Sequence, residues 1–115
     1  MNLPPHIDVI AHRYTITDNA KEFEKWIKEN GDPGVRGFCC HASQKIIIDP
    51  RAPLSLKRDI LLHEIHHAVW VACGMAINDM TGLDHETIVS RETPILLDVL
   101  RRNPDVTQYL LDDAY

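Results

Sequence analysis

Three histidines and a glutamate fall within five residues, His63-Glu64-Ile65-His66-His67, in the middle of a stretch that reads as helix. From Ser55, a candidate N-cap, to Cys73 the chain contains neither proline nor glycine, and Gly74 follows as a stop. At about 100° per residue, Leu56, Ile60, His63, Glu64, His67, Trp70 and Val71 share one face. Lys57, Arg58 and Asp59 lie mostly elsewhere. The expectation is that two imidazoles and a carboxylate point into the apolar side of this helix. Such groups are costly there unless something satisfies them.

Zinc would satisfy them. His63 and His67 are one helical turn apart, so their rings converge on one ion. Glu64 stands beside the first of them, angled towards a water on that ion. Zinc lowers the pKa of such a water towards about 7 and polarises a carbonyl. Glu64 is the candidate general base, taking the water's proton and passing it to the leaving nitrogen. His66 falls on the other side of His63, at about −60° against +40° for His67, and is expected to pack around the site.

A catalytic zinc site needs a third protein ligand and keeps its fourth position open. The helix expected from about Asp84 to Arg102 carries His85, Glu86 and Glu92 on or at the margin of its apolar arc. Glu86, 19 residues after His67, is the chosen third ligand, with His85 as its rival. Glu92 suits a different task, orienting a ligand histidine through a hydrogen bond.

The rest of the chain sets bounds. Its 115 residues fit one domain, residues 1–115. Twelve basic against 17 acidic side chains give a net charge of −5, which argues against nucleic-acid and membrane partners. The first residues lack the pattern of a secretory signal, and no apolar run reaches the roughly 18 residues of a membrane span. Three cysteines, two of them adjacent, make a poor disulfide framework and suit reduced thiols in the cytoplasm.

Ile7–Ile16 is strand-like, and Asp18 or Asn19 can cap a helix carrying Phe23, Trp26 and Ile27 and ending at Asn30-Gly31. Gly37–His41 and Lys45–Asp49 read as a hairpin around Ala42-Ser43-Gln44. Pro94 should kink or break the second long helix. Asn103-Pro104 ends it, and a short helix over Asp105–Leu111 closes the chain. The fold class is therefore α+β, a small antiparallel sheet with a hairpin packed against the motif helix and a crossing C-terminal helix. His6, His12 and His41 read as ordinary surface or loop histidines. Tyr14, Tyr109 and Tyr115 are equal candidates for stabilising an oxyanion.

Leu61-Leu62-His63-Glu64-Ile65-His66-His67-Ala68, with Glu86 about 20 residues on and a helix ending Leu100-Arg101-Arg102-Asn103-Pro104, resembles small zinc metallopeptidase-like proteins of phages and mobile elements. These are related to the ImmA/IrrE group and to minimal gluzincins. The hairpin ending Ile46-Ile47-Ile48-Asp49 fits that layout, so the likeness covers residues 35–104. It implies one zinc ion held by His63, His67 and Glu86, Glu64 as base, and a protein or peptide substrate. His85 departs from the acidic residue expected there in relatives. An exposed strand edge beside the motif helix, at residues 37–41 or 45–49, could pair with an extended substrate. Two other functions use the same residues: a non-catalytic, zinc-stabilised partner-binding module, and a zinc amidohydrolase acting on a non-peptide bond.

Overall fold

Both arms of the first hairpin alternate buried and exposed positions, the mark of strands with one face on a core. β1 (His6–Val9) buries Ile7 and Val9, and β2 (His12–Thr17) buries Tyr14 and Ile16. The two pair antiparallel, His6 opposite Thr15. The computed structural model describes residues 2–74 and 84–113.

Asn19 caps α1 (Ala20–Asn30), its side chain accepting from the Glu22 amide at 3.1 Å, and Gly31 closes the helix at φ 74°. The second hairpin follows, β3 (Gly37–Cys40) antiparallel to β4 (Lys45–Ile48), with Cys40 opposite Lys45. β4 then pairs parallel with β2, giving a four-stranded sheet in the order β1-β2-β4-β3. The fold is α+β as the pattern predicts, and its sheet is mixed. The parallel pair arises because β3 runs opposite to β2 and carries the chain back, so that β4 leaves in the direction of β2.

Side-chain alternation sends β3 and β4 to two different layers. Phe38 faces α1, where its ring lies 5.6 Å from Phe23 and 5.0 Å from Trp26. Ile46 and Ile48 face the other way, into the main core with Ile7, Val9, Tyr14 and Ile16. That core is roofed by α2 (Leu54–Ala72), which contributes Leu61, Ile65, Ala68 and Val69. α3 (His85–Arg102) and α4 (Pro104–Leu111) add Val99, Val106 and Tyr109. Among the described residues no helix is long and apolar enough to cross a membrane.

Several local expectations shift. α2 starts two residues early, at Leu54, with Pro53 in the N-cap position, so Ser55 sits inside the first turn. α3 runs as one helix through Pro94, which sits on an exposed position. Asp84 caps it, accepting from the Thr87 amide at 2.7 Å. The loop expected over Gly74 to Leu83 falls, from residue 75 on, outside the described residues.

The junction of α3 and α4 is tied to the sheet by one side chain. Asn103, 7% exposed, accepts from the Asp8 amide at 2.8 Å and donates to the carbonyls of Asp8 at 2.9 Å and Val99 at 2.7 Å. Asn103→Ala strands buried backbone groups as well as losing its own bonds. The expected cost is about 2–4 kcal/mol of unfolding free energy, read from urea denaturation.

Candidate metal centre

Two faces of α2 divide the motif. The face on the sheet is set by Leu61, Ile65, Ala68 and Val69, all within 1% of full burial. His63 and His67 lie more than about 100° round the helix from the centre of that face. Both are exposed. The expectation that the whole motif points into the apolar side is therefore corrected: of the three, Glu64 alone is buried, at 5% exposure. The physical reason is that the core arc is centred one step round from the predicted one. It takes in Leu61 and Ile65, and it leaves Trp70 half-buried and Val71 exposed.

The imidazole pair nevertheless faces inward on itself. His63 Nε2 and His67 Nε2 are 3.3 Å apart, with ring centroids at 5.0 Å and planes at 70°. Two nitrogens each about 2.0–2.1 Å from a tetrahedral ion stand roughly 3.3–3.4 Å apart. Though its side chain reaches solvent, His67 is held below its ordinary pKa, first by the partial desolvation that the surrounding protein imposes and then by the neighbouring His63, His41 and His66. It is thus kept in the neutral form that binds metal. These two side chains fit zinc.

Glu64 is enclosed by the edge of the sheet. β3 comes so close to α2 that a Cβ on Gly37 would lie 2.5 Å from Ile60 Cγ2 and 3.1 Å from Glu64 Oε2. A glycine is required for that approach. Gly37→Ala should therefore lose about 1–3 kcal/mol by forced repacking, measurable in urea melts. Burial raises the Glu64 carboxyl above its usual value, with the nearby His63 opposing in part. Cys39, two residues along β3, is pushed up to about 12 by burial, then by Glu64 and Cys40. A cavity of about 230 Å³ opens between Arg36, Gly37, Asp59, His63 and Glu64.

A second cavity, of about 220 Å³, lies on the other flank of the pair, lined by His63, His66, His67, Trp70 and Glu92. His66 Nδ1 is hydrogen-bonded to Glu92 Oε1, so α3 brings a carboxylate against the motif. Glu86, the residue the resemblance implies as third ligand, is exposed and accepts from Ser90 Oγ at 3.5 Å. His85 is exposed as well. Among the described residues no group of three or more His, Cys, Asp or Glu converges closely enough to hold an ion.

Of the tyrosines, Tyr109 is buried under Arg58, whose Cζ lies 5.4 Å from its ring, and Tyr115 falls outside the described residues. Tyr14 reaches His41 with a 3.0 Å hydrogen bond. His41 itself is exposed and lies in the turn after β3, in keeping with a surface or loop histidine. Within β3, strand alternation puts Gly37 and Cys39 on one side. No family model, no curated protein and no solved structure matches this chain.

The Glu64 shift has a stability consequence in metal-stripped protein. Below the unfolded carboxyl value both states are protonated and no penalty exists. As pH rises, the unfolded chain ionises first and the folded state is progressively disfavoured; above the folded value the penalty is complete. Glu64→Gln in EDTA is therefore expected to raise Tm at pH 7 and to leave it unchanged at pH 3. An equal shift at both values would mean that ionisation of Glu64 carries no cost.

Proposed function

We propose that this chain is a zinc-dependent hydrolase, and specifically a metallopeptidase that uses Glu64 as general base on a protein or peptide substrate. The observation that carries this is the pairing of His63 Nε2 and His67 Nε2 at 3.3 Å beside a buried carboxylate of raised pKa. A purely structural site has no need of that carboxylate. Zinc bound there would supply Lewis acidity towards a carbonyl and an acidified water. His63 and His67 would hold it from the exposed side of α2.

Glu64 suits the base because burial brings its proton affinity nearer to neutrality, which favours transfer in both directions. It would accept the attacking water's proton and return it to the leaving nitrogen. Gly37 keeps the carboxylate covered from one side, while the cavity along His63 and Glu64 leaves the other side open to a substrate.

The substrate class follows from the sheet. β3 ends the strand order, so one of its edges pairs with β4 and the other has no strand partner among the described residues. An extended peptide can add there by main-chain hydrogen bonds, with its carbonyl carried towards the imidazole pair. β4 lies between β2 and β3, which excludes residues 45–49 from that role. The reduced thiols Cys39 and Cys40 suit a cytoplasmic protein.

The third donor is proposed on α3. Glu92 lines the cavity that His63 and His67 share, and its Oε2 makes no hydrogen bond among the described residues. Glu86 lies six residues earlier on the same helix, about 9 Å along its axis. In metal-loaded protein, Glu92→Ala is expected to lose zinc and Glu86→Ala to retain it, read by elemental analysis. The reverse would restore Glu86 as ligand.

Glu64→Gln tests the hydrolase itself. Cleavage of a peptide library should fall by about 10²–10⁴-fold with zinc content unchanged. A non-catalytic, partner-binding module is the second reading, favoured by the lack of a three-donor group among the described residues. It is the one to adopt if Glu64→Gln leaves every zinc-dependent activity intact.

A further inference from the structure

Asp59, His63 and His67 follow one another at four-residue spacing on α2, and all three are exposed, so they form one stripe on successive turns. Four residues rise about 6 Å along a helix axis. Asp59 is therefore one turn before the first imidazole, and His63 leans towards it because helical side chains tilt to the N-terminus. A cavity joins the two, since Asp59, His63 and Glu64 line it together. At about 230 Å³ it is smaller than the roughly 300–1,000 Å³ of a pocket for a whole small ligand, and it suits a single side chain.

The walls of this cavity differ in polarity. Val35 and Ile60 give it an apolar lining, and Gly37 adds no side chain to it. Two charged side chains remain. Arg36 is engaged elsewhere, its Nη1 donating at 3.3 Å to Asp49 Oδ2. Asp49 is fully buried and also accepts from Arg51, at 3.0 and 3.1 Å. Asp59, by contrast, has no hydrogen bond or ion pair with any described residue. An apolar wall with an unpaired carboxylate beside it matches a side chain that has a long methylene stem and a cationic head.

We infer that this cavity is the specificity pocket of the site: it takes a lysine or arginine side chain of the substrate, from a residue next to the scissile bond, and Asp59 pairs with the cationic head. The assignment rests on the hydrolase proposed above and names its substrate class. Because the cavity shares His63 and Glu64 with the site, a side chain seated in it belongs to a residue flanking the attacked carbonyl. The net charge of −5 draws cationic peptides to the chain as a whole. Asp59 acts by binding alone; no bond to it forms or breaks.

The test uses the full chain loaded with zinc and three N-acetylated, C-amidated peptides that differ only in a central lysine, norleucine or glutamate. Norleucine keeps the methylene stem of lysine without its charge. Binding is measured by calorimetry on Glu64→Gln, so that no peptide is consumed, and cleavage as kcat/KM on the parent. The lysine peptide should bind about three- to ten-fold more tightly than the norleucine peptide, with the glutamate peptide weakest. Cleavage should follow the same order. Asp59→Asn should abolish the lysine preference in both measurements with zinc content unchanged by elemental analysis, and Asp59→Lys should move the preference to glutamate. Equal affinity for the lysine and norleucine peptides, or a lysine preference that survives Asp59→Asn, overturns the pocket and leaves the hydrolase standing. Loss of zinc in Asp59→Asn also overturns it, making Asp59 a ligand. Cleavage confined to peptides with a free amino terminus overturns it too, since Asp59 then pairs with an α-ammonium. Lysine-selective binding with no peptide cleaved overturns the hydrolase, and the substrate role of the pocket with it.

Discussion

The absence of a side chain at Gly37 is what lets the edge of the sheet lie against α2. A single carbon there would stand 2.5 Å from Ile60 Cγ2, far inside van der Waals contact. Because that carbon is missing, the strand closes over Glu64, and the residues that follow are laid along the helix. Cys39 comes near enough to Glu64 to feel its charge. The burial of Glu64, its raised proton affinity and the covered flank of the cavity all descend from this one approach. β3 is also the last strand of the sheet, and its outer edge has no strand neighbour among the described residues.

The motif helix divides its polar groups between two environments, and the division suits hydrolysis. A ligand imidazole must reach an ion that also meets solvent and substrate, so exposure costs His63 and His67 little. A general base gains from the opposite surroundings, because desolvation lifts a carboxyl towards the pH at which it works. A single residue step, about 100° round the helix, separates the two environments. Around it, ties between distant parts of the chain hold α2 in place. Lys57 Nζ is 2.9 Å from Asp18 Oδ2, and Arg58 Nε donates to the Tyr109 carbonyl at 2.9 Å. The Asp18 contact is exposed enough to contribute little. Arg58, 7% exposed, matters more, since removing its partner would leave a buried charge.

Much of this was legible beforehand, and the reasons are local. Asn19 as a cap, Gly31 as a stop and the hairpin of β3 and β4 depend on residues within a few positions of one another. The imidazole spacing depends on helix geometry alone. What could not be read depends on pairing across the chain. Ile7–Ile16 looked like one strand and is two, with the turn at Ile10, a β-branched residue at φ 55° that no turn preference predicts. The parallel contact of β2 with β4 joins Ile16 to Ile46, 30 residues on. Glu92 and Glu86 share a helix, and periodicity alone could not say which of them α3 would bring to His66.

The sequence by itself determined that a helix would carry two histidines one turn apart with a glutamate beside the first, because a 3.6-residue period leaves no other arrangement. Tertiary structure alone decided which side of that helix the core would take, and so which member of the motif would be buried. It also brought Tyr14, His41 and Cys39 together from two strands. A helical wheel fixes the angles between side chains but not the direction in which the sheet lies. That direction is set by the fit of β3 and β4 against Leu61, Ile65, Ala68 and Val69, a contact between segments separated by turns and a helix start.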